Sequence, residues 1–99
     1  MKNFVAAESF SAMGSESRLD VLRVLVRAGD KGMLVGDIGE RTQIPASTLN
    51  HHLKFLSAAG LIQQTKQGRT ITNTANFDHL KNLADYILSE CCVEENQDE

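Results

Sequence analysis

Tryptophan is absent from this 99-residue chain, and proline occurs once, at Pro45. Cysteine occurs only as the neighbouring pair Cys91 and Cys92, which excludes a spaced disulfide framework and agrees with a reducing compartment. No apolar run approaches the roughly 20 residues needed to span a bilayer, so no membrane partner is expected. The opening Met1-Lys2-Asn3-Phe4 lacks the apolar stretch and cleavage site of a secretory signal, so the expected compartment is the cytoplasm. Neither a glycine-rich phosphate loop nor a nucleophile–base arrangement is present, and nothing points to catalysis. Carboxylates are missing between residues 41 and 77, a stretch that carries Arg41, Lys54, Lys66 and Arg69. The formal net charge of −3 therefore hides a basic middle and an acidic end, at Glu90, Glu94, Glu95, Asp98 and Glu99. A segment free of acids is what a phosphate-facing surface requires, because a carboxylate there would repel the polyanion.

The length suits one domain, expected over residues 1 to 93, with an acidic, disordered tail over 94 to 99. A domain this small buries a modest core, so a partner subunit is expected to add to its stability. Residues 4 to 13 read as a short helix with Phe4, Val5, Phe10 and Met13 apolar. Residues 16 to 28 read as a central core helix: Glu16, Asp20, Arg23 and Arg27 form one narrow polar stripe, and Leu19, Val21, Leu22, Val24, Leu25 and Val26 fill the rest. Gly29 is its expected stop. Residues 34 to 42 form a short helix with Leu34, Val35 and Ile38 inward, followed by a tight turn at Thr42-Gln43-Ile44. Pro45 suits the start of the next helix, which runs to about Ala59 and ends at Gly60. Leu49, Leu53 and Leu56 share one face of it, and Ser47, Asn50, His51 and Lys54 the other.

From residue 62 to 74 the period changes. Two β-prone runs flank Lys66-Gln67-Gly68, the pattern of a hairpin with a basic tip. The helical period returns near Phe77, where Leu80, Leu83, Ala84, Ile87, Leu88 and Cys91 make a long apolar stripe. Such a stripe on a terminal helix needs cover, and a second subunit is the expected cover. Phe4, Phe10, Leu80, Leu83, Ile87 and Leu88 are the candidate dimerisation residues.

The expected fold is therefore mainly α with a β-hairpin wing, in the order α-α-α-α-β-β-α: a homodimeric winged helix-turn-helix. Its second motif helix offers Ser47, Thr48, Asn50, His51 and Lys54 to a major groove, and the hairpin offers Lys66, Gln67 and Arg69 to the backbone or the adjacent minor groove. Double-stranded operator DNA is the expected partner. His52 is expected to be packed or to contact phosphate, and His79 to be a solvent-exposed first-turn residue.

The run from Ser47 to Ile62, STLNHHLKFLSAAGLI, resembles the recognition helix of ArsR/SmtB-type repressors. The run Glu16-Ser17-Arg18-Leu19-Asp20-Val21-Leu22 resembles the core helix of that family, and Lys66-Gln67-Gly68-Arg69 its wing tip. The resemblance covers about residues 8 to 92. It implies a homodimeric repressor that holds an operator and releases it when an inducer binds. The chain departs from the family in three places. Its turn has no glycine at Thr42-Gln43-Ile44. Met33-Leu34-Val35-Gly36-Asp37 stands where many arsenic sensors carry a Cys-Val-Cys box. The zinc-sensing pattern on the last helix is also missing, since Asp78 and His79 are adjacent and no second histidine follows.

Ser89-Glu90-Cys91-Cys92 and Ala75-Asn76-Phe77-Asp78 resemble another arsenic-responsive branch. This implies a trivalent arsenical as inducer, held by Cys91 and Cys92, with no permanently bound cofactor. Two thiolates supply two of the three bonds of trivalent arsenic. An organic arsenical already carries a carbon in the third position, so it is expected to be at least as good an inducer as arsenite. Cys91 also continues the apolar stripe and so reads equally as a buried small hydrophobe; Cys92 does not. Two alternatives stand beside the arsenical reading: a redox-sensing repressor switched by a Cys91–Cys92 or intersubunit disulfide, and a protein-binding winged-helix module without DNA affinity.

Overall fold

The computed structural model describes residues 1 to 95; positions 96 to 99 of the expected acidic tail lie outside the described residues. Helix α2, Glu16–Ala28, is the element on which most others pack. Ser15 caps it, its hydroxyl accepting the Arg18 backbone N–H at 3.1 Å. Val21, Leu22 and Leu25 are buried, whereas Leu19 and Val26 are exposed. The core face is thus narrower than the apolar stripe read from the sequence, because the neighbouring helices cover only one side of α2. Helix α1, Asn3–Met13, packs against α2 and α4 and buries the small residues Ala6, Ser9 and Ala12.

After α2 the chain turns through a 3-10 segment at Gly29–Lys31 into a two-residue strand, β1, Met33–Leu34. Gly32 between them is obligatory. Its φ is +66°, and a Cβ there would come within 2.4 Å of the Asn73 carbonyl oxygen. Helix α3, Val35–Thr42, follows, then α4, Ala46–Ala58. Of the three residues expected to face inward near α3, only Ile38 is buried; Leu34 and Val35 are exposed. Leu34 is engaged in strand pairing with Thr72, so helical periodicity does not govern its direction.

Strands β2, Ile62–Gln67, and β3, Thr70–Ala75, form the expected hairpin. β1 joins its free side, giving an antiparallel sheet of order β1-β3-β2. Helix α5, Phe77–Ile87, closes the fold, with the Asn76 side chain accepting the His79 backbone N–H at its start. It ends earlier than the apolar stripe suggested, and Leu88 to Val93 run as turns. The Ser89 hydroxyl donates to the Tyr86 carbonyl at 2.9 Å, competing with helical pairing there. Glu90 beyond it would also oppose the helix dipole. Architecture and topology are those of a winged helix-turn-helix, α3 and α4 being the motif pair and β2–β3 the wing.

The two faces of α2 make a direct test. Leu25→Ala should lower the free energy of unfolding by about 2–5 kcal/mol in urea melts, since the site is sealed. Leu19→Ala, at a position 41% exposed, should cost less than about 1 kcal/mol. Equal losses would contradict the narrow core face.

Candidate nucleic-acid interface

The two motif helices are joined without glycine because Gln43 itself takes the left-handed conformation, with φ 59°. Local hydrogen bonds hold it there. Gln43 Nε2 donates to the Glu40 carbonyl at 2.8 Å, and the Thr42 hydroxyl donates to the Ile38 carbonyl at 2.8 Å. The turn brings Pro45 to the start of α4. No side chain caps that end, so its first-turn N–H groups are open to an anion.

Leu49, Leu53 and Leu56 are buried under α4, in one cluster with Leu22, Leu25 and Ile38. The opposite edge, Ser47, Thr48, Asn50, His51 and Lys54, is exposed along its whole length. Beside it, Ser47, Asn50, His51 and Lys54 line a groove of about 390 Å³ whose far wall is Gln64 of β2. Gln64 was not among the residues singled out from the sequence. Only the strand register, which sets it against Asn73, places it there. Lys66, Gln67 and Arg69 are exposed at the wing tip around Gly68. The acid-free helix edge and the basic wing tip therefore both stand open to solvent, with the groove between helix and wing. On the other flank of α4 the Arg18 guanidinium sits 4.9 Å from the Phe55 ring centroid, and His51 meets the same ring edge-on at 5.7 Å.

The three histidines differ. His51 is exposed on the polar edge. His52 is half-buried, and its Nδ1 has no hydrogen-bond partner among the described residues. Burial above all, then the positive charges of Arg18 and His51, push its pKa below the usual 6.5. His79 is not the solvent-exposed residue expected from its place in the first turn of α5. It is half-buried, with Nε2 2.8 Å from the hydroxyl of buried Ser9, which in turn donates to the Ala59 carbonyl at 3.3 Å. Ser9 carried no signal in the sequence, where it reads as one more small residue on α1.

Both thiols are exposed. Because α5 stops at Ile87, Cys91 is not part of a buried stripe. Cys92 adopts a left-handed φ of 65°, and the two sulfurs converge to 2.8 Å. The hydrogen bond with Cys91 is the main cause that raises the Cys92 pKa, with desolvation and Glu95 adding to it. Among the described residues no group of three or more His, Cys, Asp or Glu side chains is arranged to hold a metal ion. Of the residues expected at a subunit contact, Phe4, Ile87 and Leu88 are 65–66% exposed and Phe10 less so. Leu80 packs partly against the core, and Leu83 belongs to the protomer's own core. No helix among the described residues is long and apolar enough to cross a membrane.

Residues 13–65 match the family model of a helix-turn-helix domain, HTH_20. YceK of Bacillus subtilis (strain 168), an uncharacterized HTH-type transcriptional regulator, is 38% identical over 66 residues, covering 67% of this chain and 65% of that protein. The transcriptional repressor SdpR of the same organism is 30% identical over 80 residues, covering 81% of this chain and 86% of SdpR. An ArsR-like transcriptional regulator from Rhodococcus sp. RHA1 superposes with a TM-score of 0.77 at 26% identity, over 94% of this chain and 84% of that one. These proteins are named as regulators of transcription, not as enzymes.

The depressed His52 pKa has a signed consequence. The unfolded chain takes up this proton at a higher pH than the folded one. The stability it confers is complete above about pH 6.5 and is gone once the pH has fallen through the lower folded value. The melting temperature should therefore fall as the pH drops from about 7.5 to about 5.5, and His52→Gln should flatten that decline. A variant with the wild-type slope would contradict the assignment.

Proposed function

Because the chain belongs to the helix-turn-helix family of transcriptional regulators, in its winged ArsR-like form, we propose that it is a homodimeric repressor of operator DNA, released by trivalent arsenicals at Cys91 and Cys92. One observation carries the DNA-binding part: the exposed edge Ser47–Lys54 lies in a stretch without a single carboxylate, and that stretch also contains the basic wing tip. A helix edge of short polar side chains fits a major groove, and a basic hairpin tip fits the flanking backbone. A module that binds only protein would have no need for the acid-free edge.

The homodimer reading is supported by Phe4 on α1 and by Ile87 and Leu88 at the end of α5. They leave large apolar surface in water that a second copy would cover. The two recognition helices would then address half-sites about one DNA turn apart.

The thiol pair lies immediately beyond this face. Its sulfurs are close enough for one arsenic atom to bridge. With an organic arsenical R–As(OH)₂, each sulfur displaces one hydroxide. Two As–S bonds form, two As–O bonds break, and the thiol protons leave with the hydroxides as two waters. The arsenic keeps its oxidation state. Binding there changes the chain end that follows Ile87 and Leu88, and a coupling of about 1–3 kcal/mol suffices for a useful switch.

Two measurements test the proposal. Lys54→Gln and Arg69→Gln should each lower the salt dependence of duplex binding, the slope of log K on log salt, by about one. They should leave the melting temperature unchanged. Salt-independent binding, or none, would overturn the DNA reading. For the inducer, duplex release is titrated with arsenite and with phenylarsenous acid in wild type, Cys91→Ser and Cys92→Ser. Release by both compounds is expected in wild type, with the organic one at least as effective, and resistance in each variant. Variants released like wild type would remove the thiol site. Release by peroxide alone, reversed by a thiol reductant, would replace it with the disulfide switch.

A further inference from the structure

We propose that Gln64 is an additional DNA-backbone contact and that the buried Asn73 is the positioning residue that aims it; this rests on the operator-binding reading above. Asn73 is 1% exposed and is one of two buried polar residues among the described residues, the other being Ser9. A buried amide must satisfy both its donor and its acceptor sides. Asn73 Nδ2 donates to the Met33 carbonyl at 3.3 Å, and Asn73 Oδ1 accepts from Gln64 Nε2 at 2.8 Å. Met33, Asn73 and Gln64 are register partners across the three strands, so one line of hydrogen bonds runs through the sheet from β1 to β2.

This line fixes the direction of Gln64. Because the Asn73 donor is committed to a backbone carbonyl, only its oxygen faces Gln64, and Gln64 must turn its NH₂ towards it. The second N–H of that NH₂ group remains available. Gln64 is exposed at the wall of the groove it shares with Ser47, Asn50, His51 and Lys54. Every one of these side chains can donate a hydrogen bond, none is a carboxylate, and Lys54 carries a positive charge. A groove of that chemistry between recognition helix and wing accepts an anion, and a phosphodiester of the bound duplex is the anion that the proposed function brings to it. A glutamine held in place beforehand also loses less rotamer freedom on binding than a free one.

The test uses duplexes that the wild-type protein enriches from a random-sequence pool, with affinities read by fluorescence anisotropy. A lost hydrogen bond to a charged phosphate predicts that Gln64→Ala binds about tenfold more weakly per half-site. The loss should be equal across the enriched sequences, with the same sequence preference, and the melting temperature should fall only modestly, because the buried Asn73 Oδ1 loses its partner. Gln64→Glu, which places a carboxylate in the groove, should bind more weakly still. Asn73→Ser should lose affinity as Gln64→Ala does, and the double variant should lose no more than either. Should Asn73→Ser fail to fold, the Gln64 side-chain amide in wild-type NMR spectra decides instead: one rotamer with a protected N–H is expected, and a rotationally averaged amide would overturn the positioning role. Wild-type affinity in Gln64→Ala, a changed sequence preference, or fully additive losses would each overturn the proposal. If the wild-type protein enriches no duplex at all, the operator-binding reading falls with it. Enrichment by a protein indifferent to Gln64 sinks only this inference.

Discussion

The burial of Leu49, Leu53 and Leu56 on one side of α4 is the constraint from which the rest of the molecule follows. Each leucine contributes about 2 kcal/mol by leaving water. With spacings of four and three they permit only one rotation of the helix against α2 and α3. That rotation turns Ser47, Asn50, His51 and Lys54 outward together. Gly39 of α3 lies opposite, where even an added Cβ would stand 3.7 Å from a Leu49 methyl. The polar edge is therefore not a surface left over after folding. It is oriented by the same packing that stabilises the domain.

The wing is tied to this arrangement by polar rather than apolar contacts. Asn73 joins β1, β3 and β2 in one hydrogen-bonded line, and Gly32 lets the chain leaving α2 approach β3 closely enough for that line to form. A second polar junction gathers Ser9 of α1, Ala59 at the end of the recognition helix and His79 of α5. Helices α1 and α5 are thus bonded to the base of α4. In the proposed dimer, a change at the subunit contact would have a short covalent and hydrogen-bonded route to α4.

The sequence made the main elements legible where the apolar period was long. The leucine face of α4, the alternation around Lys66-Gln67-Gly68 and the stop at Gly29 all announce their structure locally. Strand β1 was not legible, because two residues carry no period, and its pairing with β3 redirected Leu34 from the core to the surface. The width of the core face of α2 was misread, since hydrophobicity at Leu19 and Val26 does not say which side neighbouring helices will cover. The end of α5 was placed too late because the apolar stripe runs on past the point where Ser89 takes up the Tyr86 carbonyl. Ser9, Asn73 and Gln64 were invisible for a different reason. Their significance lies in partners up to 70 residues away, and side-chain type alone does not reveal a pairing.

One small domain thus carries two surfaces: an acid-free edge, proposed to meet a duplex, and an apolar end with a thiol pair, proposed to take a second subunit and an inducer. The central claim is where the duplex lies. It is tested most directly by following backbone amide NMR shifts as a duplex is added to the reduced protein. Changes are expected to concentrate at Ala46–Lys54, at Gln64 and at Lys66–Arg69, with Phe4 and Ile87–Leu88 little affected. Changes centred on α1 and the end of α5, or no changes on the recognition helix, would contradict it.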